Sequence, residues 1–270
     1  MSYFDNILFI PHSHGQKKEG VDEVAFFIKP VICKTLNIIE LQQKKNIIDS
    51  LNNIYNICNK YNNRSLFIGG DHSISIATIK AIYEKNMKII WIDAHADINT
   101  MESSITKNVH GMPLAFLTGI EKNFLDCKEK EDIIIPFENI AYIGIRSIDD
   151  FEKNLIKQKK IKVINHKNNI NDIKQEINDF IGDSKIHISL DVDVLDPEFM
   201  QCTGTRENDG LSLQLLLNIL DILKKYNINS MDIVEFNHAQ GKNKEEFSNS
   251  LKSFLSILQK FNLLSISGSL

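Results

Sequence analysis

The chain has 270 residues, of which 43% are hydrophobic and 24% charged, and a net charge of −4. This is the balance of a soluble globular protein long enough to bury a substantial core, which excludes a disordered or fibrous chain. The mild acidity argues against a nucleic-acid binder, which would show a basic field, and no apolar run approaches the length of a membrane span.

The elements alternate along the chain between short β-rich runs and longer stretches of helical periodicity. A strand is predicted at Asn6–Pro11, a helix at Glu23–Lys34, a weaker strand at Leu36–Glu40 and a helix at Lys45–Tyr61. Next come a strand at Ser65–Ile68, a helix at Ser73–Lys85, and strands at Lys88–Ile92 and Ile140–Ile145. The remainder reads as a helix at Asp149–Lys159, a strand at Ile161–Ile164, a helix at Asn171–Ile181, a strand at Lys185–Leu190, a helix at Ser212–Tyr226, a strand at Ser230–Glu235 and a helix at Glu245–Phe261. Polar stretches at Lys128–Asp132 and His166–Asn171 read as loops. Strands apolar on both faces need helices on both sides, so the expected fold is one α/β domain over residues 1–270. It is a three-layer α-β-α arrangement around a mostly parallel sheet of about eight strands.

Cys33, Cys58, Cys127 and Cys202 lie far apart without a CxxC spacing, so neither a zinc ribbon nor a disulfide framework is expected. Asp5 stands where a secretory leader would carry positive charge, and the apolar run from Ile7 to Pro11 is too short for one. A reduced, cytoplasmic setting follows as the expectation.

The polar motifs follow strands, the place where open α/β sheets bind ligands. After Lys88–Ile92 comes Asp93-Ala94-His95-Ala96-Asp97, whose alternate residues share a face. Asp191-Val192-Asp193 repeats the period at the end of Lys185–Leu190, and Gly69-Gly70-Asp71-His72-Ser73 delivers His72 at a helix start. Four carboxylates gathered in one crevice are unfavourable unless cations neutralise them. Two divalent ions would do so, and this hard-to-borderline donor set suits Mn2+, with Mg2+, Co2+, Fe2+ or Zn2+ as alternatives. Such a pair can hold a bridging water acidic enough to be hydroxide near neutral pH.

These three motifs, in order and approximate spacing, resemble those of the ureohydrolase family of arginases, agmatinases and related amidinohydrolases, and the resemblance runs over nearly the whole chain. It implies an arginase-like fold, with one metal held by His72, Asp93, Asp97 and Asp191 and the other by His95, Asp93, Asp191 and Asp193. The run from Asp97 to Gly111 is similar to the arginase loop that reads an α-carboxylate, which implies that Asn99, Thr106 and Asn108 bind it and that His110 shuttles the proton. Glu235-Phe236-Asn237 resembles the arginase Glu-x-Asn, which implies a carboxylate paired with the substrate guanidinium. Thr205 matches another pocket residue, Asp149 and Glu152 match acidic substrate-binding positions, and Gly15–Val21 resembles the arginase opening.

The resemblance implies a dinuclear manganese hydrolase that binds L-arginine, a small guanidino molecule, with neither nucleic acid nor membrane as partner. A metal-bound hydroxide attacks the guanidinium carbon, Asp97 relays the proton, and urea and L-ornithine leave. The alternatives are an agmatinase or other guanidino or formimino amidinohydrolase, and a silent arginine- or metal-binding protein. Departures cluster at the amino-acid end of the pocket: Ser147 stands where arginases carry Asp, Arg206 to Gly210 lack the usual proline and one glycine, and His238 replaces a common proline. Family members are often trimers or hexamers, so the resemblance implies a homo-oligomer, with the tail-mediated trimer contact expected to be missing because the chain ends soon after the strand-like run Leu264–Ser267.

Four further residues have plainer readings. His12 and His14 read as solvated loop residues, His187 as a hydrogen-bonded core residue, and Trp91 as core packing.

Overall fold

The computed structural model describes residues 2–61, 64–122, 125 and 133–265. The strands are β1 (Asn6–Ile10), β2 (Asn37–Glu40), β3 (Ser65–Gly69), β4 (Lys88–Ile92), β5 (Ile140–Ile143), β6 (Lys162–Ile164), β7 (Ile186–Asp191) and β8 (Ile228–Val234). They form one sheet of order β2-β1-β3-β8-β7-β4-β5-β6, and every pairing in it is parallel. The helices are α1 (Val24–Ile28), α2 (Ile47–Cys58), α3 (Ile74–Ile82), α4 (Pro113–Leu117), α5 (Asp150–Lys159), α6 (Ile170–Ile181), α7 (Leu213–Leu223) and α8 (Lys244–Lys260).

Side-chain alternation along each strand divides the apolar residues between two cores. Ile90 and Ile92 of β4 join Ile7, Phe9, Leu66, Ile68, Ile188 and Leu190 against residues of α1, α6, α7 and α8. Ile89 and Trp91 join Leu8, Ile10, Phe67, Ile140 and Tyr142 against residues of α2, α3, α4 and α5. The sheet is therefore covered on both faces, which is why β3, β5, β7 and β8 are buried at every position. Helix starts are fixed by side-chain caps: Asn46, Asn169, Ser212 and Asn243 each accept from a first-turn N–H, and Asp149 forms a capping box with Glu152.

The helix expected at Glu23–Lys34 is cut to α1 flanked by two 3-10 turns, Val21–Glu23 and Lys29–Val31. Pro30, which lacks an N–H and clashes with the preceding turn, accounts for the break. α4 adds a short helix absent from the expected set, and His166–Asn171 runs into α6 from Ile170. The Lys128–Asp132 loop, Cys127 and the last two residues of Leu264–Ser267 lie outside the described residues, while Leu264 itself forms an isolated antiparallel bridge to Ile32. Cys33, Cys58 and Cys202 are free thiols. Among the described residues no helix is long and apolar enough to cross a membrane.

The strand order matters most for function. β3, β8, β7 and β4 are consecutive at the centre of the sheet, so the loops leaving their carboxyl ends meet over one crevice. At the first of these loops the β3–α3 turn packs directly on the end of β1, with Gly70 N–H donating to Ile10 O and Asp71 N–H to His12 O. A Cβ on Gly70 would sit 1.7 Å from the His12 carbonyl oxygen, and backbone cannot rotate away as a side chain can. Gly70→Ala is expected to lower unfolding free energy by about 2 kcal/mol or more, read from the urea midpoint; an unchanged midpoint contradicts the close approach.

Candidate metal centre

His72 leaves β3 on the Gly69–Ser73 turn with its ring stacked on Trp91, the centroids 4.1 Å apart and the planes 7° from parallel. Its Nε2 pairs with Ser189 Oγ at 2.8 Å. Its Nδ1 is buried and makes no well-directed hydrogen bond, yet carboxylate oxygens of Asp93, Asp97 and Asp191 lie 3.1, 3.0 and 3.3 Å away. A nitrogen ringed by three carboxylates in this way has the surroundings of a metal ligand.

His95 repeats the pattern, with Nδ1 3.0 Å from Asp193 Oδ2 and 3.4 Å from Asp93 Oδ1. Two groups thus have ligand atoms close enough to share a cation, His72 with Asp93 and Asp97, and Asp93 with His95 and Asp193. Asp93 belongs to both. Asp191 turns one oxygen towards His72 and accepts from the Asp193 N–H with the other. Trp91 Nε1 donates to Asp93 Oδ2, and Tyr142 of β5 donates to Ala96 O, so the Asp93–Asp97 segment is held from below.

The electrostatics match this geometry. Burial, then Asp193 and Asp93, push the Asp191 carboxyl well above its ordinary range. Burial also raises Asp193 to about 6 although His95 opposes it, and burial with Asp93 raises Asp97. Burial would lower the two imidazoles, but the carboxylates around them outweigh it and lift both. The protein alone therefore gathers protons where negative charge is concentrated. Two divalent cations answer the same imbalance, and an all-oxygen-and-imidazole donor set fits Mn2+ or its neighbours.

Above this floor lies a cleft of about 720 Å³ whose lining includes Asn99, Thr106, Asn108, His110, Asp149, Glu152, Thr205 and Glu235. The residues singled out in the sequence for substrate binding thus share one wall system, with His95, Asp97, Asp191 and Asp193 at its base. Glu235 Oε1 accepts from the His72 backbone N–H at 2.9 Å and pairs with His110 Nδ1 at 3.0 Å. Its Oε2 accepts from Gln16 Nε2 at 2.7 Å. Burial would raise the Glu235 carboxyl, but His110 outweighs it and holds the group below its ordinary value. Burial would lower His110, and Glu235 reverses this, lifting it to about 9. At the far end Asp149 and Glu152 are engaged with each other in the α5 capping box, Asn99 Nδ2 donates to Asp149 at 2.8 Å, and Glu152 accepts from the Ile98 N–H. Ser147 lines the cleft beside them.

Several participants were not visible in the sequence. Gln16 reaches Glu235 across 219 positions, and Arg146 spends its guanidinium on backbone carbonyls. His12 is buried, with Nδ1 2.8 Å from Ser50 Oγ and Nε2 3.0 Å from Ser73 Oγ, which corrects the expectation of a solvated loop. The cause is Asp71, whose carboxylate accepts from the Gly15 N–H and folds the loop inward. Gly15 O in turn accepts from the His110 N–H, so the same loop fixes His110. His187 is buried and paired with Ser230. Trp91 packs the core as expected and also supports the site from beneath, stacked on His72 and donating to Asp93.

Comparison with known proteins agrees with this arrangement. The arginase family model matches residues 17–255. An arginase of Coccidioides immitis is 41% identical over 189 residues, which cover 64% of this chain and 58% of that protein. An arginase of Entamoeba histolytica is 34% identical over 276 residues, covering 87% of this chain and 91% of that one. The crystal structure of an E. histolytica arginase in complex with L-ornithine superposes with a TM-score of 0.83 at 30% identity, over 95% of this chain and 99% of the other. The chain belongs to the arginase family.

Proposed function

We propose that the chain acts as one catalytic domain, a dinuclear manganese hydrolase that converts L-arginine to urea and L-ornithine. The observation that carries this reading is the pair of His/Asp groups sharing Asp93 directly beneath the Glu235–His110 pair. His72, Asp93, Asp97 and Asp191 would hold one ion and His95, Asp93, Asp191 and Asp193 the other; when bound, the ions supply Lewis acidity and lower the pKa of water.

The chain's own groups account for orientation and proton transfer. A carboxylate offers about four acceptor sites, and Glu235 already uses three on His72 N–H, His110 and Gln16. The neutral Gln16 amide is the partner that yields to a guanidinium, whose planar fork then sets the substrate over the metals. His110, held protonated at neutral pH by Glu235, is placed to give its proton to the departing amine, and Asp97 relays a proton from the attacking water. Asn99, Thr106, Asn108 and Thr205 serve the amino-acid end, with Asp149 and Glu152 for the α-ammonium. The short hydroxyl of Ser147 in that wall favours, as a second reading, a guanidino substrate without an α-amino acid group. The family resemblance further supports a cytoplasmic homo-oligomer, a trimer or hexamer.

Manganese-loaded protein incubated with arginine should release urea, Asp93→Ala should abolish this, and agmatine should be turned over at least 100-fold more slowly; equal rates on agmatine would establish the second reading. His110→Asn should lower kcat by about 100-fold or more with little change in KM. Stability gives a third check. A carboxyl raised by folding binds more protons folded than unfolded, so stability falls as pH rises from 4.5 to about 7 for Glu152 and from 3.8 to about 6 for Asp193. His110 contributes stability that is complete below 6.5 and is lost by about 9. The urea midpoint of metal-free protein should therefore decline between pH 5 and 9, and a midpoint that climbs over this range contradicts the charge assignment.

A further inference from the structure

We propose that Glu207 is a positioning carboxylate for His95, an inference that rests on reading this centre as a two-cation site. The two nitrogens of the His95 ring meet carboxylates on opposite sides. Nδ1 faces Asp193 and Asp93 at 3.0 and 3.4 Å, where a cation would be held, and Nε2 lies 3.6 Å from Glu207 Oε1. An imidazole that binds metal through one nitrogen needs the other N–H engaged, because that contact fixes the tautomer and ring orientation and strengthens the ligand. His72 meets the same need differently, through the neutral hydroxyl of Ser189 at 2.8 Å. The two histidines thus differ in backing, His72 being hydrogen-bonded to a hydroxyl and His95 standing in a charge contact, just beyond hydrogen-bond length, with a carboxylate.

Glu207 is held in place by the segment that carries it. Its carbonyl oxygen accepts from Arg146 Nη2 at 2.9 Å, and the Asn208 carbonyl accepts from Arg146 Nε at 2.9 Å. The same guanidinium donates to Asp193 O at 2.9 Å and Val194 O at 3.1 Å. Arg146 therefore ties the backbone bearing Glu207 to the backbone bearing Asp193, and so fixes the partners of both His95 nitrogens in one unit. On the other flank Arg206 pairs with Glu246 at 3.4 Å and donates to Gln240 O. Gly210 lets the loop close, since a Cβ there would stand 2.4 Å from Asp196 N and 2.7 Å from Arg146 Nη2.

The test is Mn2+ binding by calorimetry on metal-free full-length protein, comparing wild type, Glu207→Gln, Glu207→Ala, Glu207→Asp and His95→Ala, with the melting temperature of each metal-free form. His95→Ala should remove or strongly weaken one of two binding events. Glu207→Gln and Glu207→Ala should weaken that same event by about 10- to 100-fold and leave the other unchanged, with melting temperatures near wild type, and Glu207→Asp should recover part of the loss. If His95→Ala weakens an event while both Glu207 variants bind like wild type, Glu207 has no positioning role. If His95→Ala changes nothing, the two-cation reading itself fails and the proposal falls with it.

Discussion

Strand pairing and charge repulsion are set against each other at the centre of this molecule. β4 and β7 are neighbours in register, with Ile92 opposite Leu190, so Asp93 and Asp191 leave the sheet side by side. Parallel strands lie about 4.8 Å apart, and two like charges at about 4 Å repel by about 4 kcal/mol at an effective dielectric near 20. Asp97 and Asp193 add to the same spot. Moving these carboxylates apart would require breaking a central strand pair whose residues are almost wholly buried. The fold therefore holds the acids together, and positive charge, whether from protons on His72 and His95 or from bound cations, must come to them.

A second constraint links this floor to the cleft wall. Glu235 continues the β3–β8 ladder through its N–H to Gly70 O and then turns at φ 66°, in the left-handed region that side chains other than glycine seldom enter. Asp97 adopts φ 48° at the end of its own motif. Each conformation costs about 1–2 kcal/mol and persists only where the surroundings over-determine it. For Glu235 those surroundings are the backbone N–H of His72 together with His110 and Gln16. The bond from the His72 backbone N–H to the Glu235 carboxylate ties this cleft residue directly to the His/Asp cluster below it.

What the sequence made legible is local in character. Asp93, His95 and Asp97 are recognisable by residue type just after a strand, but a bend and not strand alternation brings them together, since β4 ends at Ile92, the His95 N–H donates to Asp93 Oδ1 and Asp97 takes φ 48°. The central strands are recognisable because burial on both faces leaves runs such as Ile89 to Ile92 with no polar residue. The parts that escaped depend on contacts between distant segments. No pattern near Gln16 announces Glu235, and nothing beside Glu207 announces His95, because each partner arrives from another strand end. His12 was misjudged for the same reason: its loop looks solvated until Asp71, on the turn after β3, draws it inward. Pro30 is the exception, a local signal sufficient to end a helix that apolar periodicity alone extends too far.

The acidic end of the cleft shows why such readings need structure as well as motif. Asp149 and Glu152 are the N-cap and N3 residues of α5, so each already serves a backbone N–H of the other, and Glu152 also holds the Ile98 N–H next to Asp97. Helix capping fixes these carboxylates at the cleft wall without any ligand, and it leaves them acceptor capacity for one. Burial, Asp97 and Asp149 together lift Glu152 to about 7, so an incoming ammonium would find a group able to lose its proton in response. An Asp at position 147 would have placed a further negative charge beside this pair. With Ser147 in that place the wall carries less charge, and its two carboxyl groups are ones whose positions the helix terminus already dictates.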